Sequence, residues 1–148
     1  MSDLVLPPNM EALVSAYLRA QPEILDELED DAGNVHVYTA IPKEAPNKVV
    51  RVTQIADDPA GSPLLLVAFS IQVEAWGSKA EAWRVANICR ALLDDRERFV
   101  GYHEGFGVVN GSSPGSLIDL PDEAFRPAVP RWLFTSTIYA HGLATLTS

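Results

Sequence analysis

Cysteine occurs once in this chain of 148 residues, at Cys89. A lone thiol cannot close an internal disulfide, so the fold must be held by packing, and cysteine usage marks no oxidising compartment. Basic residues are scarce too: 11 lysines and arginines stand against 20 acids, for a formal charge of −9. Proteins that neutralise phosphates carry a basic stripe, so this balance argues against backbone-directed nucleic-acid binding. No apolar run approaches the ~18 residues of a membrane-spanning helix. The opening MSDLVLPPNM has an acid and no basic leading segment, so no signal peptide is expected. A soluble protein made in the cytoplasm, without a membrane partner, is the resulting expectation.

Catalytic signatures are also missing. There is no GxSxG turn, no P-loop and no CxxC pair. His36, His103 and His141 lie on separate segments, with no pair at the four-residue spacing that sets two imidazoles on one helical face. Gly105, Gly107 and Gly111 have the wrong spacing for a dinucleotide fingerprint, and no helix opens behind them. No catalytic residue, metal or cofactor is expected, and the chain reads as a non-enzyme.

What is present begins with hydrophobic residues, 47% of the chain. At this length one domain spanning residues 1–148 is expected. Its centre is a strand, a turn and a helix. Val67, Phe69, Ile71, Val73 and Ala75 alternate with Ser70, Gln72 and Glu74, the period of two that a half-buried strand requires. Gly77 breaks the run, and Ser78 with Glu81 three residues on forms a capping box. Ala82, Ala86, Cys89 and Leu93 then recur at helical spacing, flanked by Val85 and Leu92. On that stripe Cys89 reads as a small core residue.

Around this centre, Asn9 caps a first helix whose apolar side is Met10, Leu13, Val14, Tyr17 and Leu18. Pro22 ends that helix or opens a short second one. Residues 35–39 and 49–55 read as strands, 40–48 and 56–63 as proline-punctuated loops, and 132–140 as a closing strand bearing Trp132, Phe134, Ile138 and Ala140 on one face. Glycines loosen the stretch 101–130 into an expected extended loop or hairpin arm, with 119–130 a loop. The order of elements is α+β: an antiparallel or mixed sheet packed against one or two helices.

One charged stretch stands out. Glu23, Asp26, Glu27, Glu29, Asp30 and Asp31 fall within nine residues. A helix dipole accounts for acids at its start, Glu23 and Asp26, but is opposed by Glu29, Asp30 and Asp31 at its end. The stretch is either a solvated loop or an acidic surface facing something negative or metal-bearing. The DxDxDG spacing of a calcium loop is absent.

The chain as a whole resembles the tail terminator (tail-completion) proteins of long-tailed, non-contractile bacteriophages. The resemblance rests on an order of elements: a helix ending near Ala20, Val35-His36-Val37-Tyr38 leading into Ile41-Pro42, and Val49-Val50-Arg51-Val52. There follow Ile71-Gln72-Val73-Glu74-Ala75-Trp76, a helix over 79–94, and Pro130-Arg131-Trp132-Leu133-Phe134. Residues 101–130 depart from it, being longer and richer in glycine.

The resemblance implies a structural virion protein of the tail or neck, assembled as a hexameric ring on the head-proximal end of the tail tube. Such a ring stops tube growth and offers a joining surface to the head. Its implied partners are copies of itself, the tail tube protein and a head–tail connector or stopper protein, with DNA passing through the lumen without specific binding. A stopper, a connector or a tube subunit is the neighbouring alternative, and a small α+β ligand-binding module or enzyme the more distant one. In a ring the acidic run becomes a candidate for the lumen wall or a subunit contact. Lys43 and Lys48 on one loop, Asp57 and Asp58 on the next, and Tyr102, Phe106 and Arg126 on the arm become candidate contacts to neighbouring subunits or partners.

Overall fold

The computed structural model describes residues 3–59, 66–124, 128–142 and 144–147. The sheet is built around β4 (Val67–Trp76), which pairs antiparallel along its whole length with β3 (Val49–Pro59) on one side and β8 (Arg131–His141) on the other. Beyond β3 lies the two-residue β2 (Val37–Tyr38), the one parallel neighbour among the described strands of this sheet. Beyond β8 come β6 (Gly107–Pro114) and then β5 (Gly101–His103), while β7 (Ile118–Asp119) pairs with β8 at Leu133 and Trp132. A separate ribbon joins β1 (Asp3–Val5) to β9 (Ala144–Thr147). The class expected from the sequence, α+β with a mixed sheet, is the class observed.

The alternation in β4 does what its period demands. Val67, Phe69, Ile71, Val73 and Ala75 are all buried on the helix side of the sheet, joined there by Val50 and Val52 of β3 and Phe134, Ile138 and Ala140 of β8. Two helices lie on that face. α1 (Met10–Arg19) covers β3, capped by Asn9, whose Oδ1 accepts from the Ala12 amide. α3 (Lys79–Asp94) crosses β4, β8 and β6, and its Ala82, Ala86 and Cys89 are fully buried. Small residues there let the helix axis come close to the strands. Burial pushes the Cys89 thiol up to about 12, so it is a packing group and not a thiolate.

Both halves of the capping box are made: the Glu81 amide donates to Ser78 Oγ at 3.2 Å, and the Ser78 amide donates to Glu81 Oε1 at 3.1 Å. Pro22 opens a second helix, α2 (Pro22–Leu28), from its first position. That helix buries Ile24 and Leu28 and packs on α3. A single turn, α4 (Arg96–Phe99), buries Phe99 against Tyr17, whose hydroxyl donates to the Leu92 carbonyl at 2.7 Å.

Three expectations need correction. Residues 56–59 are not loop but the end of β3, with Asp57 opposite Phe69 and Asp58 opposite Ala68. The ladder to β4 carries the strand past a bulge at Gln54/Ala56, overriding the poor strand preference of aspartate. The hairpin expected as one alternative within 101–130 is present as β5–β6, but it is no separate arm: β6 runs on beside β8 inside the sheet. Two of its glycines serve close backbone approach: a Cβ on Gly107 would lie 2.6 Å from the His141 carbonyl oxygen, and one on Gly115 would lie 2.9 Å from that of Thr135. Within the expected loop 119–130, Asp119 belongs to β7, and Asp122 and Val129 exchange backbone hydrogen bonds.

Two substitutions measure this reading. Phe69→Asp sets an unpaired charge in the core, at a cost of several kcal/mol, and is expected to abolish soluble expression. Ser78→Ala removes only the cap, and urea titration should show a loss of about 1 kcal/mol. An unchanged melting temperature for Phe69→Asp would mean that the inward face has been misassigned.

Candidate functional site

The acidic run is tied into the fold at alternate positions. α2 stops at Leu28, so Glu29 is already its C-cap and Asp30 and Asp31 lie beyond it. Glu23 receives two contacts from Arg98 Nη1, at 2.8 and 2.9 Å. Its carboxyl is held below the ordinary range by its own backbone amide and by Arg98. Glu27 bridges Lys48, 2.8 Å away, and Arg84, and those two hydrogen bonds lower its pKa in that order.

Asp30 is a turn residue. Its Oδ1 accepts from the amides of Ala32 and Asn34 at 2.9 Å each, and its Oδ2 lies 3.0 Å from His36 Nε2. The Asn34 amide is the first cause of its lowered pKa. His36 Nδ1 in turn meets the Tyr38 hydroxyl at 2.7 Å, so the three side chains lock the return from α2 into β2. Local structure therefore does explain Asp30, contrary to the sequence reading. Asp26, Glu29 and Asp31 are exposed and form no ion pair among the described residues. No group of three metal-ligating side chains occurs among the described residues.

The other candidates separate widely. Lys43 is exposed on the loop between β2 and β3, whereas Lys48 is spoken for by Glu27. Asp57 and Asp58 are exposed on the free end of β3. Tyr102 on β5 is 62% exposed, while Phe106 turns back and packs against the core. Arg126 lies outside the described residues.

What the sequence reading missed is a charged cluster at the end of β4. Glu74 was assigned to the open face of its strand, yet it is 1% exposed. Arg51 stands directly opposite on β3 and donates from Nε to Glu74 Oε1 at 2.8 Å, with Nη2 at 2.7 Å from the same oxygen. Arg131, diagonally placed on β8, donates to Oε2 at 2.8 Å and through Nε to the Leu120 carbonyl. Both guanidiniums lie over the ring of Trp76, 5.4 and 5.8 Å from its centroid, and the Trp76 indole donates to Asp122 Oδ2 at 3.2 Å. One signal was available: a glutamate between arginine-bearing strands on the polar face of a long strand. Which strands neighbour β4, however, is a tertiary fact.

Arg51, Trp76 and Asp122 of this cluster line a cleft of about 500 Å³. Its walls are Ile41, Pro42, Ala45 and Pro46 of the loop before β3, together with Val49 and Trp76, and Lys43, Arg51 and Asp122 supply its charges. Further along the same face, Thr53, Ser70, Gln72, Thr135 and Thr137 form a half-exposed polar surface on the side of the sheet away from α1 and α3. No helix among the described residues is long and apolar enough to cross a membrane.

Denaturation of two variants separates the contributions. Glu74→Ala leaves two guanidiniums facing each other and should cost about 3 kcal/mol, discounted from the full buried-pair value because Arg51 can turn to water. Glu27→Gln should act through pH. Its folded pKa is depressed, so its stabilisation is complete above the ordinary value of 4.5 and is lost as pH falls through the folded pKa. Wild type and Glu27→Gln should thus differ most at neutral pH and converge in acid; a constant gap would contradict the ion pairing.

No protein-family model matches this sequence, and no curated protein matches it. Among solved structures, the chain is similar to one described as "Virion of native gene transfer agent (GTA) particle". The two share 18% identity with a TM-score of 0.59, over 90% of this chain and 95% of the other, a likeness of fold across nearly the whole of both.

Proposed function

We propose that this protein is a structural component of a phage-like virion, forming a hexameric ring that ends the tail tube on its head-proximal side and joins it to the head. The observation that carries the reading is the fold shared over 90% of the chain with a virion particle chain. The order of elements that resembles the tail terminator proteins supports the finer role. A ring subunit needs unlike surfaces at its two sides, and the sheet supplies them: the proline loop and β2 at one edge, the β5–β6 hairpin at the other. In this reading the exposed acids Asp26, Glu29 and Asp31 belong to the channel wall, where fixed negative charge repels passing phosphate within a Debye length of about 8 Å.

Electron microscopy of the purified protein tests the assembly. Closed six-fold rings that do not stack are expected; long tubes would make the chain a tube subunit instead. In assembled particles, replacing Glu29 and Asp31 by Gln and Asn should leave tail length unchanged and slow genome ejection, most of all at low salt. Unchanged ejection would remove these acids from the wall, and altered tail length would move them to a subunit contact.

A further inference from the structure

The cleft at the end of β4 gathers positive charge on a chain whose formal charge is −9. Lys43 and Arg51 line it, against Asp122, and Arg131 lies behind, on the other oxygen of the Glu74 that pairs with Arg51. Glu74 is divided between the two guanidiniums, and Asp122 accepts from the Trp76 indole. Lys43 at the rim forms no ion pair among the described residues. Asn47 apart, the rest of the lining is apolar, and its two prolines restrict the backbone of the wall. Such a cleft suits a large flat side chain with an acid beside it, and most of its wall is the loop that joins β2 to β3.

The opposite edge carries that pair of groups. Tyr102 on β5 is the most exposed large hydrophobic residue described, and Glu104, two residues on, is exposed and forms no ion pair among the described residues. Tyr102 stands opposite Val108, whereas its neighbours along the hairpin, Val109 and His103, face the helices. Its ring therefore stands on the side of the sheet away from the helices. A tyrosine loses little conformational freedom on docking and brings a large contact area, which is why such residues anchor interfaces.

We propose that the cleft is filled by Tyr102 of a second copy of this chain, with Glu104 of that copy set against Lys43. The assignment deepens the ring reading above and rests on it. The two halves lie at opposite edges of one sheet, so they cannot meet within a chain. A contact between unlike surfaces passes from copy to copy, head to tail, and closes into a ring when the rotation allows. A two-fold dimer would instead need one surface to match itself. The cleft's basic rim also disfavours a basic occupant, and the β5 hairpin supplies an acid where the complement is needed.

Sedimentation velocity on the purified full chain tests this. Tyr102→Ala and Lys43→Glu should each weaken assembly about 30-fold or more. Both residues are exposed, so the circular dichroism and melting of the subunit should not change. Combining Lys43→Glu with Glu104→Lys should restore assembly. A mixture of Tyr102→Ala and Lys43→Glu chains retains one sound joint per pair, and it should stop at dimers. If wild type assembles and both single variants assemble equally well, the cleft assignment is overturned while the ring reading stands. Rings formed by the mixture would overturn it in the same way. Wild type that stays monomeric at every concentration would remove the ring reading, and this assignment with it.

Discussion

The apolar face of β4 is the surface on which the rest of the molecule is assembled. Both of its edges are paired along their full length, to β3 and β8, and α1 and α3 cover its five inward side chains. Their burial sets the register of both neighbours, because a slip of one residue would turn Phe69 and Ile71 outward. α3 begins three residues after the strand ends and must return over it. The turn at Gly77, with φ +155°, and the Ser78–Glu81 box set that return. Ala82, Ala86 and Cys89 then allow the helix to sit low on the sheet, and α2 and α4 pack about its flanks and end.

Against that order, Glu74 is a deliberate exception at the same strand's far end. A buried carboxylate is tolerated because each oxygen meets a guanidinium and the two arginines lie over Trp76. The arrangement adds little net stability over an apolar replacement of equal volume, since desolvation offsets most of the attraction. What it does provide is position. It ties β3, β4 and β8 together at one corner, and Arg51 and Trp76 of that corner line the cleft that the proposed contact would use. The cost of ordering has been met within the subunit, which favours binding there.

The two edges of the sheet follow different rules. At the β3 side, the free end of the strand carries Asp57, Asp58 and a bulge, features that discourage indiscriminate strand pairing. At the other side, the edge strand β5 is only three residues long and carries the exposed Tyr102. Both arrangements favour contacts through specific side chains over open-ended sheet extension, as the proposed ring would require.

Local pattern alone determined the centre of this protein. The period of two in β4, the capping box and the three-to-four spacing in α1 and α3 are short-range properties, each readable in a window of some ten residues, and all were found where the sequence put them. The α+β class followed from the order of those elements. What local pattern could not contain was pairing between distant segments. Asp57 and Asp58 are strand residues because β4 offers them a ladder, and Gly107 opens β6 where the His141 carbonyl of β8 leaves no room for a Cβ. Glu74 is buried because Arg51 and Arg131, 23 and 57 residues away along the chain, arrive on the strands either side of it. Those side chains read as open polar surface one strand at a time, and only the tertiary fold joins them into one cluster, of which Arg51 lines a cleft.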